Sequence, residues 1–204
     1  MSSEQDNKAI VRRYFEDAFN RGNLDVTDEV FDPRHQIDNP YISEGMDGPE
    51  PMKAFVWLSR KMLPDLEVVV EDEIAEGEKV MTRWTLRGKL ADKLRASDVD
   101  EEVTVSGISV TRVIGGSIKD TWLRCEAVQE PQSPVPSDEF RERLLEDAPI
   151  AEREASGLSL QPQELRIPIE WLDWLASRLC CLLGIKKCCH ELPSPSELQS
   201  PPTS

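Results

Sequence analysis

Moving a proton unaided by metal or cofactor needs a carboxylate or an imidazole drawn out of water, where a carboxyl pKa climbs toward neutrality and the carboxylate becomes a stronger base. The chain carries 39 acidic side chains and two histidines, so acids are plentiful and only their setting can single one out. One suggestive run is Ile118 to Glu126. As a strand of period 2 it puts Ile118, Asp120, Trp122, Arg124 and Glu126 on one face, where Arg124 and Glu126 can pair. A second run is Asp38-Asn39-Pro40, ordinary turn chemistry with Tyr41 beside it and His35 three residues earlier. Cys125 has the opposite strand parity from Glu126, and no histidine stands in a motif relation to it, so little supports a cysteine nucleophile. Cys180-Cys181 and Cys188-Cys189-His190 lack the two-residue gap that lets two sulfurs of one turn reach a tetrahedral ion, so no metal site is expected.

These residues need elements to hold them. From Asp6 to Arg21 the residues Ile10, Val11, Tyr14, Phe15, Ala18 and Phe19 recur on one helical face, with Ser3 and Asp6 as a capping box and Gly22 as the stop. Asn23 caps a short second helix to Phe31, Pro33 ends it, and an extended piece follows around His35 to Asp38. Met52, Phe55, Val56, Ser59, Met62 and Leu63 share the face of a third helix between Pro49 and Pro64. Beyond Pro64 the period becomes 2. Strands are expected over Leu66 to Asp72, Val80 to Leu86, Val103 to Ile114 and Ile118 to Val128, with tight turns at Glu76-Gly77-Glu78 and Gly115-Gly116. Helices followed by long antiparallel strands predict an α+β fold, a curled antiparallel sheet with helices laid on one face and a pocket between them.

That order and its wording resemble the SnoaL-like polyketide cyclases of the nuclear transport factor 2-like superfamily. The matching phrases include Val11 to Phe19 followed by Asn20-Arg21-Gly22-Asn23-Leu24, Lys53-Ala54-Phe55, Pro64-Asp65-Leu66, Ala75 to Val80, Arg83 to Gly88, Val103 to Val110, and Gly116, Ile118 and Trp122. They span about residues 8–128. The resemblance implies a conical α+β barrel of the cystatin-like type whose mouth admits a small apolar or aromatic metabolite of polyketide or terpenoid kind. It further implies aldol-type cyclisation or isomerisation by general acid/base catalysis, with neither metal nor organic cofactor, and a homodimer. The family's Trp-Asp-x-x-Asp strand becomes Trp122-Leu123-Arg124-Cys125-Glu126 here, and its His-x-Pro becomes Asp38-Asn39-Pro40. The resemblance therefore makes Glu126 and Asp38 the candidate acid/base residues, with Tyr14, Tyr41, Trp84, Trp122 and His35 as substrate contacts. The family's Gly-x-His-x-Gly is replaced by Gly88-Lys89-Leu90-Ala91-Asp92, and Leu90 cannot transfer a proton. A non-catalytic cone that binds a small molecule or a protein is the alternative.

Proline partitions the chain: five of fifteen precede Val128 and ten follow it, the mark of a linker. The expected organisation is a cone over 1–129, a Pro-rich linker with a short helix from Ser137 to about Asp147 over 130–168, an amphipathic Cys-rich helix over 169–190, and a disordered Ser/Pro-rich tail over 191–204. Around that last helix Trp171, Trp174, Leu175, Leu179, Leu182 and Leu183 leave only a narrow stripe of Glu170, Asp173, Ser177 and Arg178. It can dock on the sheet or a second subunit, or associate weakly with a membrane interface through Lys186, Lys187 and acylated cysteines. A formal net charge of −15, acidic in both halves, opposes nucleic acid as a partner. Without a secretory pattern or a long apolar run, a cytoplasmic location is expected, with the five cysteines as thiols.

Overall fold

A computed structural model describes residues 3–38, 47–92 and 102–129, the side chains of 126–129 excepted. Tyr41, the Pro-rich linker, the Cys-rich helix and the tail lie outside the described residues.

Helix α1 (Glu4–Arg13) opens on the expected capping box, in which Ser3 Oγ accepts from the Asp6 N–H and the Asp6 carboxylate accepts from the Ser3 N–H. It does not run to Arg21 as one α-helix. Over Tyr14–Asn20 the chain widens into a π-helical segment, whose i→i+5 bonding is seen in the Arg21 N–H reaching the Glu16 carbonyl at 3.1 Å. In a wider turn adjacent residues share a direction more nearly, and the pairs Tyr14–Phe15 and Ala18–Phe19 are all buried. Gly22 ends the helix with φ of +73°. Next come α2 (Asp25–Val30) and the strand β1 (Phe31–Asp38), then α3 (Pro49–Met62). Pro33 lies inside β1 rather than ending an element ahead of it. It can do so because β1 is an edge strand and its pairing is interrupted between Phe31 and Gln36.

Strands β2 (Glu67–Glu76), β3 (Lys79–Lys89), β4 (Glu102–Ile114) and β5 (Ser117–Gln129) form an antiparallel meander, and β1 adds in parallel to β5, giving the order β1-β5-β4-β3-β2. The five-stranded sheet is thus mixed where an antiparallel one was expected. The fold class stands: α+β, with the helices on the concave face of a curled sheet. Gly115 and Gly116, at φ of +62° and +86°, make the two-residue turn from β4 to β5. At the opposite edge the Asn20 side chain serves β2 as a backbone strand would. It donates to the Val68 carbonyl at 2.9 Å and accepts from the Val68 N–H at 2.7 Å. Asn7 and Glu4 hold the β2–β3 turn through the carbonyl and the N–H of Gly77, each at 3.0 Å. No helix among the described residues is long and apolar enough to cross a membrane.

The register of β5 differs from simple alternation in one place that matters. Val113 pairs with Ile118 and Arg112 with Asp120, so Lys119 is a bulge. Strand parity flips across it. Ile118 lies on the concave face with Thr121 and Leu123, while Asp120, Trp122 and Arg124 take the convex face. Ile118 therefore does not share a face with Trp122 and Arg124.

Candidate functional site

Between the π-helical segment, α3 and the concave face of β3–β5 lies an internal cavity of about 50 Å³. Its helical wall is aromatic. Tyr14 meets Phe19 and Phe31 edge to face, with ring centroids 5.2 and 4.9 Å apart, and Phe15 lies 6.3 Å from Trp84. Trp84 crosses the sheet over Gly107, its cross-strand partner, because only a residue without a Cβ leaves room for the indole. The sheet wall is different: Ser109, Thr111 and Thr121 place hydroxyls on it, each residue less than 9% exposed. No charged side chain is among the described residues that line the cavity.

Several of these buried polar atoms have no hydrogen-bond partner among the described residues. They are the Tyr14 hydroxyl, Trp84 Nε1, Ser109 Oγ and Thr82 Oγ1. A buried hydroxyl or N–H left unpaired costs about 1–3 kcal/mol, and three of these residues, Tyr14, Trp84 and Ser109, line the one cavity. Thr82 and Ser109 face each other across β3 and β4, and Thr111 faces Thr121 across β4 and β5, which makes a polar band in an otherwise apolar cone. Burial raises the Tyr14 phenol well above its ordinary pKa, so it is a neutral donor.

His35 stands behind this wall. It is wholly buried, its ring meets Phe31 at 4.6 Å, and its Nε2 lies 3.1 Å from Thr121 Oγ1. Burial lowers its pKa to about 4, against the opposing pull of Asp120, a hydrogen bond to the Gly48 backbone, and Asp32, so it is neutral at physiological pH. The His35 carbonyl accepts from the N–H of Gly48 at the start of α3, which fixes β1 to that helix.

The residues singled out by sequence divide between two faces. Tyr14 and Trp84 line the cavity, and His35 reaches it through Thr121. Asp38 is on the convex side. Its side chain is 69% exposed and accepts from Arg124 at 3.0 Å, and the guanidinium in turn lies 4.5 Å above the Trp122 ring. Trp122 is 39% exposed and faces away from the cavity. Glu126 pairs with Ser106 in the ladder; its side chain, like Tyr41, lies outside the described residues. Arg124 thus pairs with Asp38 across the β1–β5 edge. Leu90 is buried in the core. Cys125 packs against the core, where burial pushes its thiol up to about 12, a protonated and inert state. The hydroxyls of Ser109, Thr111 and Thr121 were not singled out in the sequence, although they alternate with apolar residues in a strand pattern. Gly107 carried a signal too, since glycine inside a strand marks a close approach.

A family model for the SnoaL-like domain matches residues 11–121. No curated protein matches the chain. Among solved structures the chain is similar to TsrD from Streptomyces laurentii, with a TM-score of 0.52 and 19% identity over 61% of this chain and 91% of that one. It is also similar to a proposed SnoaL-like polyketide cyclase from Jannaschia sp. CCS1, with a TM-score of 0.50 and 23% identity over 61% and 90%. AclR from Streptomyces galilaeus, a proposed hydroxylase, gives 0.50 and 21% over 60% and 80%. At these identities the likeness speaks to fold alone. The family match takes in the π-helical segment, α3 and the strands that wall the cavity as far as Thr121 on β5, and on it the chain belongs to the SnoaL-like domain family.

Proposed function

We propose that the cone is a receptor for a small, uncharged apolar or aromatic molecule of polyketide or terpenoid type. The observation that carries this is the lining: aromatic rings on the helical side, hydroxyls on the sheet side with that of Ser109 unpaired, and no charge among the described residues between them. An apolar cavity with a few convergent polar groups is the usual form of a small-molecule site. About 50 Å³ holds only a few atoms, so a ring enters by displacing a side chain, and Met52, unbranched and flexible, is the lining residue best able to yield. Ethylbenzene titrated into the full chain is expected to shift the NMR signals of Tyr14, Phe15 and Trp84. Ser109→Leu, which fills the cavity from the sheet side, is expected to abolish those shifts while the chain stays folded. Shifts confined to the convex face, or untouched by the substitution, would overturn the receptor reading.

A second reading is cofactor-independent cyclisation or isomerisation. It is favoured by the family match, while the ladder gives Glu126 the parity of Trp122 and Arg124 on the convex face and not that of Thr121 and Leu123. Asp38 serves it no better, since its carboxylate is solvated and held by Arg124 on the convex side. With a panel of poly-β-keto and terpenoid substrates, a fall in turnover of about 10²–10⁴-fold in Glu126→Gln, the usual contribution of a general acid/base, is the result that would assign the chemistry to Glu126. Asp38→Asn is expected to leave turnover within about twofold of wild type. Equal turnover in all three chains would remove both carboxylates from the chemistry.

A further inference from the structure

We propose that the convex face of the sheet is the docking surface for the chain's own segment 169–185, whose tryptophans seat in a groove flanked by Arg83 and Arg124. The inference is independent of what enters the cone. It answers two needs with one contact: apolar side chains exposed on the sheet, and an apolar stretch of sequence that has to be covered.

The ladder sets out the face. Ile74, Met81, Val110 and Trp122 stand abreast across β2 to β5, and the neighbouring row is Asp72, Arg83, Ile108 and Arg124. Ile74 is 61% exposed, Ile108 42% and Trp122 39%. Apolar side chains gathered in this way, rather than scattered singly, mark a contact surface. A groove of about 350 Å³ opens there, with Ile108 and Trp122 among its lining and Arg83 from β3 and Arg124 from β5 on the two strands beside Ile108. Each guanidinium is held by one carboxylate, Arg83 by Asp72 at 2.8 Å and Arg124 by Asp38 at 3.0 Å. Such exposed pairs are weak, and the five donors of a guanidinium leave room for a further carboxylate.

The segment has the complementary pattern. Read as a helix, it sets Trp171 and Trp174 on one face at a spacing of three, with Glu170 and Asp173 at the same spacing on the stripe beside them. Two indoles bordered by two carboxylates match an apolar floor bordered by two guanidiniums, and Trp and Arg are the residues that anchor contacts of this kind.

Reach favours the chain's own segment over a second copy. The stretch 130–168, taken as a coil, spans on the order of 35 Å. Arg124 lies five residues before the end of β5 at Gln129, or about 17 Å by the strand rise. A tether of that length keeps the segment at an effective concentration on the order of millimolar, whereas a second copy must bring together two chains of formal net charge −15.

The test is limited proteolysis of the full chain by trypsin, which cuts after Arg166 just ahead of the segment and after Arg178 inside it. In wild type, cleavage at Arg178 is expected to be at least about tenfold slower than at Arg166, because it follows the undocked fraction. Ile108→Glu and Trp174→Ser are each expected to remove about tenfold of that protection, and the two together no more than either alone. Ile108→Glu is the decisive arm, since a residue on β4 can expose Arg178 only if the segment rests on it. Equal cleavage at both sites in wild type, or a ratio untouched by Ile108→Glu, overturns the proposal. Protection that grows over about a hundredfold range of chain concentration would put a second copy on the face. Protection seen only with vesicles of phosphatidylcholine and phosphatidylserine would put the segment on a membrane. Either result overturns the proposal too. Should Ile108→Glu fail to fold, wild type alone decides: nuclear Overhauser contacts from the Trp171 and Trp174 rings to the Ile108 methyls are expected within one chain and not between labelled and unlabelled chains in a mixture. Their absence within the chain overturns the docking.

Discussion

Replacing Gly107 by alanine is expected to destabilise the fold by about 2–3 kcal/mol, the range for overpacking a close-packed core. A Cβ built at this position lies 2.3 Å from Trp84 Cζ2 and 2.6 Å from Cε2 and Cη2. Contacts this short cannot stand, and neither side can give way easily. The indole is rigid and 7% exposed, with the Phe15 ring 6.3 Å from it, and Gly107 is held between β3 and β5 by its pairing with Trp84 and Cys125. The loss reads directly as a fall in the urea midpoint at constant slope. Trp84→Leu in the same chain makes room, so the penalty of Gly107→Ala should shrink to under about 1 kcal/mol in that background, a coupling that a double-mutant cycle isolates. An alanine chain as stable as wild type, or a penalty undiminished by Trp84→Leu, would show that the indole does not rest on Gly107. The same cycle bears on function, because a ring pushed off Gly107 has to move into the cavity it walls.

What could be read from the sequence, and what could not, follows from the range of the forces involved. Ser3 and Asp6 lie within one helical turn of each other, Pro49 fixes a φ angle, and Gly115-Gly116 fix two more. Each of these signals is local, and each element formed where it was expected. The π-helical widening at Tyr14–Asn20 was hidden because the residues that line an α-helical stripe also suit a wider one; the ring packing against Phe31 and Trp84 that accompanies it is tertiary. The bulge at Lys119 was hidden for a related reason. Ile118 and Trp122 are both apolar, so hydrophobic alternation continues on paper while the ladder shifts by one. Everything downstream of that shift changed face, which is why Trp122 stacks under Arg124 on the convex side. The link between His35 and Thr121 crosses 86 positions of sequence and depends on β1 lying parallel to β5. Nothing in either local run announces it. The family resemblance pointed to the right fold and the right hollow, and to Tyr14 and Trp84 in its wall, but the hydroxyl band across β3 to β5 is legible only once the ladder register is known.

Acidification is expected to weaken the fold through His35 by an amount separable from ordinary carboxylate titration. The imidazole titrates near 6.5 in an unfolded chain, and burial lowers it to about 4 in the folded one. A depressed folded-state pKa means that the unfolded chain binds the proton more readily, so the stabilisation is fully present above about pH 6.5. It is lost as the pH falls from there toward 4. At about pH 4.5 the linkage amounts to about 2.5 kcal/mol, a large share of an ordinary domain's stability. The structural cause is specific. Imidazolium would lose its hydration in this wholly buried place, and Asp120, the Gly48 backbone and Asp32, which favour the charge, do not offset that loss, the two carboxylates being already engaged with Arg112 and Lys119. Urea unfolding of the full chain at about pH 7 and about pH 4.5, in wild type and in His35→Leu, separates this from the carboxylates, which titrate alike in both. The wild-type chain should lose about 2.5 kcal/mol more than the variant over that interval. Equal losses would mean that burial does not hold His35 neutral in the folded protein.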